Sequence, residues 1–233
     1  MHGKPISAIA AVVLTAAPFL AAQTSPLHAR VEIIERGRTS KVASNAVVWL
    51  TSLDSPVTPP PQTTVPQLRQ KNKSFIPSLV VIPAGGKVEF PNEDPFFHNV
   101  FSLFEGKRFD LGLYESGSTR FVQFDRPGIS YIFCNIHAQM SAVVIALSTP
   151  YYGISNEKGE ITIAGVPPGR YRMQVFHASA LPDEMQAFTH EITVTVDTET
   201  LGVVKLHASD AIAHHKDKYG QDYQPTNEDY SRR

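Results

Sequence analysis

The stretch Tyr131-Ile-Phe-Cys-Asn-Ile-His-Ala-Gln-Met140 holds the only cysteine of the chain, Cys134, with His137 three residues on and Met140 three beyond that. Up to the cysteine the run is built of β-formers. Side chains of a strand alternate between its faces, so Ser130, Ile132 and Cys134 share one face, opposite Tyr131 and Phe133. Three soft donors then follow within one short loop. Thiolate, imidazole and thioether at this spacing suit a soft transition metal, and the best source of a second imidazole is His98, upstream in Pro95-Phe-Phe-His-Asn-Val100. Two His, one Cys and a weak axial Met make the donor set of a type 1 (blue) copper site. Taken alone, Cys134 also fits a buried free thiol packed as a small hydrophobe.

Outward from this loop the chain reads as strands separated by turns. Upstream lie an extended stretch over Gln70 to Ile82, the turn Pro83-Ala-Gly-Gly86 and the alternating Lys87-Val-Glu-Phe90. After the turn Pro91 to Pro95, strands are expected at Phe96–Phe101, Phe109–Tyr114, Thr119–Phe124 and Ile129–Cys134. Ser141 to Leu147 is apolar on both faces, which predicts a central strand. From Pro150 the pattern changes to shorter strands and turns, as in Glu160–Ile163, Tyr171–Phe176, His190–Val196 and Leu201–Leu206. Near the start, Val31–Glu35 and Asn45–Thr51 are strands, with Trp49 as core filler, and Ser52 to Pro66 is a proline-rich junction. No long helical period appears, and residues 209–233 read as a flexible, polar tail.

Val88-Glu-Phe-Pro-Asn92-Glu-Asp94 followed by His98-Asn99-Val100, with Tyr131-Ile-Phe-Cys134 later, resembles the cupredoxins of the plastocyanin and amicyanin type. The short Cys-x2-His-x2-Met loop is similar to that of amicyanins. The resemblance covers residues 65–149 and implies a Greek-key β-sandwich. It also implies one copper ion, cycling between Cu(I) and Cu(II), held by His98, Cys134, His137 and Met140. Asn99 would support the Cys sulfur through its amide and tie the two ligand loops together.

A second likeness involves Asn156-Glu-Lys-Gly-Glu-Ile-Thr-Ile163 and Val166-Pro-Pro-Gly-Arg-Tyr171, which resemble the second half of carboxypeptidase regulatory-like (transthyretin-like) sandwiches. Ala46-Val-Val-Trp-Leu50 resembles the end of their first half. The implied fold class is all-β: a cupredoxin sandwich plus a second small Ig/prealbumin-like β-sandwich containing residues 150–208. Residues 30–60 then either form the first half of that second sandwich, with the copper domain inserted between about Ser55 and Thr149, or add strands to the cupredoxin.

The 233 residues carry a net charge of −1, so nothing global points to nucleic acid as a partner. Lys4 and the apolar, alanine-rich run Ile6 to Ala22 read as a signal peptide over residues 1–22, cleaved after Ala22 with Ala29 as the fallback. Pro18 and the length of the run argue against a stable membrane span after cleavage. A periplasmic or secreted protein is therefore expected, in which an unpaired cysteine is informative. His177 and His190 read as strand-end surface residues, and His214-His215 as a weak pair.

These features point to a one-electron carrier rather than an enzyme, since no further His cluster is available for a substrate-binding copper. Its partner would be another redox protein, docking on an apolar patch of Pro95, Phe96, Phe97, Ile136 and Ala138 around the His137 edge. The alternatives are periplasmic copper binding and delivery, or a structural or partner-binding β-sandwich protein in which copper is secondary.

Overall fold

The alternating runs fold, in the computed structural model of the chain, into short strands and one helix among the described residues, which are 26–35, 41–103, 106–208 and 215–223. The signal peptide expected over residues 1–22 lies outside them. The chain starts with β1 (Leu27–Ile34), β2 (Lys41–Val42) and β3 (Val47–Ser52). After the proline-rich passage come β4 (Arg69–Lys71), β5 (Ser74–Ile76), β6 (Leu79–Pro83), β7 (Lys87–Pro91) and β8 (His98–Ser102). These are followed by β9 (Phe109–Tyr114), β10 (Thr119–Gln123), β11 (Gly128–Phe133) and β12 (Ser141–Leu147). Last are β13 (Tyr152–Ile154), β14 (Glu160–Ile163), β15 (Gly169–Phe176), α1 (Pro182–Ala187), β16 (His190–Val194) and β17 (Thr200–His207).

The first and last groups build the same two sheets. In one, β1 lies between β14 and β17, with β2 also paired to β1; in the other the order is β13-β3-β15-β16. The register of β3 on β15 sets Val47 opposite Phe176, Trp49 opposite Gln174 and Thr51 opposite Arg172. Alternation then does the packing: Leu27, Ala29, Val31 and Ile33 of β1 share a core with Val48 and Leu50 of β3 and with Tyr171, Met173 and Val175 of β15. None of the ladder partners of β1 and β3 comes from residues 69–147. Cleavage after Ala29 would remove Leu27, His28 and Ala29, which pair with Ile163, Thr162 and Ile161, whereas cleavage after Ala22 leaves β1 whole.

Between β3 and β13 the chain forms a five-stranded sheet, β6-β12-β11-β8-β9, and a two-stranded sheet of β7 and β10. Val88 and Phe90 of β7 and Val122 of β10 meet Val80, Ile82, Val100, Ile132, Ala142 and Val144 in a second core, which also holds Cys134 and Met140. Strand β12 is central, parallel to β6 and antiparallel to β11. Its double-faced apolarity has a cause. Ala142, Val144 and Ala146 face the second core, while Val143, Ile145 and Leu147 face Val47, Trp49 and Phe176 across a junction between the two sets of sheets. Each large side chain buried there contributes roughly 1.5–3 kcal/mol relative to exposure. Trp49 is thus buried in the junction and not in either sandwich core.

Two expectations need correction. The stretch from Gln70 is not one extended run: Asn72 and Lys73, both near φ 54°, turn the chain between β4 and β5. Two consecutive positive φ values define a type I′ hairpin turn, which an Asn-Lys pair signals poorly because no glycine is present. The second correction concerns the flexible tail expected from Ser209, in which the described residues 215–223 bond to Cys134 and Asn135. Their partners are supplied by tertiary contact, which composition does not reveal.

Candidate metal centre

His98 opens β8, and Cys134 directly follows β11. The antiparallel pairing of Phe101 with Phe133 sets the start of β8 abreast of the loop that leaves β11. That loop closes on itself: the Cys134 N–H donates to Met140 O at 3.2 Å, and the Met140 N–H to His137 O at 3.0 Å. Period two then does what the sequence pattern anticipates, and Ile132 and Cys134 face the second core.

The structure brings His98, Cys134 and His137 together, with their donor atoms all within 4.8 Å of one another. Cys134 Sγ lies 3.7 Å from His98 Nδ1 and 3.7 Å from His137 Nδ1. Donors sharing one ion, with metal–N near ~2.0 Å, metal–S near ~2.3 Å and angles between tetrahedral and trigonal, stand about 3.6–3.8 Å apart. The spacing therefore fits a common metal. Met140 is fully buried in the same core as Cys134. Among the described residues this is the single such group of His, Cys, Asp and Glu side chains.

The surroundings prepare each donor. Asp94 Oδ2 lies 2.8 Å from His98 Nε2, and both side chains are buried. A carboxylate only accepts, so Nε2 carries the hydrogen and the Nδ1 lone pair faces the sulfur. Asp94 also accepts the N–H groups of Asn72 at 2.6 Å and Lys73 at 2.9 Å. Burial by itself would raise its pKa, but these bonds and that from His98 outweigh it and hold the carboxyl below its usual range. Asn92 shapes the loop between: its Oδ1 accepts the Asp94 N–H, and its Nδ2 donates to Phe96 O and Tyr114 O. Burial pushes the Cys134 thiol pKa up, while the backbone N–H groups of Asn99, Ile136 and His137 on the sulfur pull against it. Cys134 would have to be deprotonated to hold a metal there.

Asn99 Nδ2 donates to Asp110 Oδ1 at 2.6 Å, bracing β8 against β9, while the Asn99 backbone N–H is one of the groups that pull the Cys134 thiol pKa down. Asp94 has no role in the sequence reading; the available signal was an acidic residue in the turn four positions before His98.

His137 is half-buried on the loop, and burial followed by the neighbouring His98 and Lys73 drives its pKa down to about 4. His98 is displaced in the same direction, chiefly by burial. A histidine depressed in the folded state leaves the unfolded chain binding more protons below its ordinary pKa of about 6.5. The metal-free protein is therefore expected to lose stability as the pH falls from about 6.5 toward 4, and to be flat in these groups above about 7. Urea midpoints at pH 7.5, 6 and 4.5 check this; equal values would refute it.

The patch residues differ in exposure. Pro95, Phe97 and Ala138 are exposed, with Phe97 at 56%, while Phe96 and Ile136 are half-buried. The Phe96 ring packs on both imidazoles, its centroid 5.1 Å from that of His98 and 5.7 Å from that of His137. His177 and His190 lie outside the cluster and bond to nearby backbone carbonyls, of Ser44 and Phe188. No helix among the described residues is long and apolar enough to cross a membrane.

No protein-family model and no curated protein matches the chain. Solved cupredoxin structures are similar to part of it. Amicyanin from Paracoccus versutus is 23% identical, with a TM-score of 0.33, over 42% of this chain and 97% of that one. A purple cupredoxin from Nitrosopumilus maritimus is 20% identical, with a TM-score of 0.32, over 36% of this chain and 100% of that one. A copper-containing nitrite reductase from Thermus scotoductus is 23% identical, with a TM-score of 0.36, over 42% of this chain; the match spans about a quarter (26%) of the reductase.

Proposed function

We propose that the chain is an exported cupredoxin-type protein in which His98, Cys134, His137 and Met140 hold one type 1 copper ion for one-electron transfer. The observation that carries this reading is the placement of Cys134 Sγ at 3.7 Å from both His98 Nδ1 and His137 Nδ1 in a buried, hydrogen-bonded setting. When bound, copper supplies the one-electron couple. The protein's part is to hold its donors so that they need not move.

Cys134 gives up its thiol proton on loading, and three backbone N–H groups accept the task of stabilising the sulfur charge. His98, pinned by Asp94, keeps its ring orientation and tautomer. His137 is the half-exposed imidazole, so its edge is the route to a partner. Phe96 shields both rings from water, and Pro95, Phe97, Ile136 and Ala138 supply an apolar rim suited to the small, weak interfaces of redox encounters. A substrate-converting enzyme is not proposed.

Delivery is the competing role, and it needs donors that open easily. The full burial of Cys134 and Met140 favours retention. Titration of the metal-free protein with Cu(II) is the test. An intense visible thiolate-to-copper band with a reversible redox couple is expected; a colourless product overturns the reading. Ready loss of copper to a chelator, with an irreversible couple, would favour delivery.

A further inference from the structure

The segment 215–223 is a folded element of its own. The Asp217 N–H donates to Gln221 O and the Gly220 N–H to Asp217 O. Asp217 Oδ1 in turn accepts the N–H groups of Tyr219 and Gln221. Gly220 at φ 80° permits the reversal. This turn rests on the structural elements that surround Cys134. Tyr223 Oη donates to Cys134 O at 2.7 Å, and the Lys218 N–H donates to Asn135 Oδ1 at 2.9 Å. Lys218 Nζ reaches Asp110 Oδ2 at 2.8 Å, and the other oxygen of Asp110 holds the Asn99 side chain. The His215 ring stacks on Phe133, with centroids 4.0 Å apart, and meets the Tyr223 ring edge-on.

Two elements meet around Cys134: β8, whose Asn99 side chain is held by Asp110, and the loop that leaves β11 with Cys134 and Asn135. Lys218 and Tyr223 bridge those same two elements from outside. Within the loop, only the Cys134–Met140 and Met140–His137 backbone bonds close the turn. On its other side the segment borders a cavity of about 990 Å³, lined by His215, Lys216 and Gly220 together with Trp49, Tyr131 and Met185. Among the described residues, the polar bonds that tie it down go to Cys134 and Asn135 of the loop and to Asp110 of β9, and its ring contact goes to Phe133 of β11.

We propose that residues 215–223 form a strap that holds the ligand loop in its metal-binding arrangement, with Lys218 and Tyr223 as positioning residues. The consequence for metal retention rests on the copper reading above; the consequence for the loop does not. With the strap in place, loop opening requires breaking the bonds to Cys134 O and Asn135 Oδ1 as well as the loop's own. Metal release follows loop opening and is slowed to the same degree.

The test uses the mature protein with Tyr223→Phe, Lys218→Met, Lys218→Arg and a deletion of residues 209–233, with Lys216→Met as a control. In the metal-free state, amide hydrogen exchange over residues 134–140 is expected to quicken about three- to tenfold for each lost hydrogen bond, and more for the deletion. Lys218→Arg should restore protection by keeping the Asp110 contact, and Lys216→Met should change nothing. In the copper-loaded state, transfer of Cu(I) to a chelator should quicken by a similar factor, and the EPR hyperfine splitting should shift. Unchanged exchange in Tyr223→Phe and in the deletion overturns the strap, whatever copper does. Faster loop exchange in a protein that never turns blue upholds the strap and sinks the copper reading. A blue protein with unchanged exchange and transfer does the reverse.

Discussion

Cys134→Ser should erase the visible band of the copper-loaded protein completely while leaving the fold intact. The band requires a thiolate on the metal, and Cys134 is the only thiol in the chain. The substitution is sterically mild: the serine hydroxyl can accept the same N–H groups from Asn99, Ile136 and His137, so the metal-free unfolding free energy should move by only about 1 kcal/mol. The contrast comes on loading. At a thousandfold excess over Kd, copper stabilises the native chain by about 4 kcal/mol. For a chain of this size that is a rise in Tm of about 8–16 °C. The variant should lose nearly all of that rise. Calorimetry with and without Cu(II), beside the visible spectrum, measures both. A variant that still gains the full increment would mean that Cys134 is a packed thiol and not a ligand.

Asp94→Ala should be the most damaging change outside the donor set. One carboxylate accepts from His98 Nε2 and from the N–H groups of Asn72 and Lys73. Its loss leaves the buried His98 donor unpaired and unties the β4–β5 turn at once. Hydrogen bonds to a charged group contribute about 1.5–3 kcal/mol each, so a net loss of roughly 3–5 kcal/mol is expected in the metal-free protein. Copper affinity should fall as well, by about 10- to 100-fold, the usual cost of removing the partner that orients a ligand histidine. Asp94→Asn should lie between, because it keeps one acceptor but turns an amide toward N–H donors. An alanine variant with unchanged Tm and affinity would show that His98 is held by packing alone. The stability that Asp94 provides is present above the ordinary carboxylate pKa of about 3.9 and is lost as pH falls through its lowered folded value. It therefore adds, at more acid pH, to the loss set by His98 and His137.

The candidate site was legible because its chemistry is local and its donor types are few. A single cysteine at the end of an alternating run, with His137 and Met140 in the next six residues, restricts the options before any fold is known. His98 was reachable because its flanking residues carry a motif. The strap was not legible. Lys218 and Tyr223 sit in a polar, aperiodic stretch, and their partners lie 108 and 89 positions away in sequence.

The sequence by itself determined the all-β character, most strand positions and the candidates His98, Cys134 and His137 that the fold brings together, because period-two alternation and donor chemistry are properties of neighbours along the chain. Only the tertiary structure decided which strands pair. Val47 to Ser52 finds β15 some 120 residues later, a choice between the two placements that the motif around Ala46–Leu50 left open. It also decided the Asn72-Lys73 reversal, which lacks the glycine that would announce it and is held instead by Asp94. In the same way it decided that Asp94 aims His98 and that residues 215–223 lie against Cys134 and Asn135. Each of these is a hydrogen bond or a ladder between distant residues, made favourable by burial that exists only once the sheets have closed.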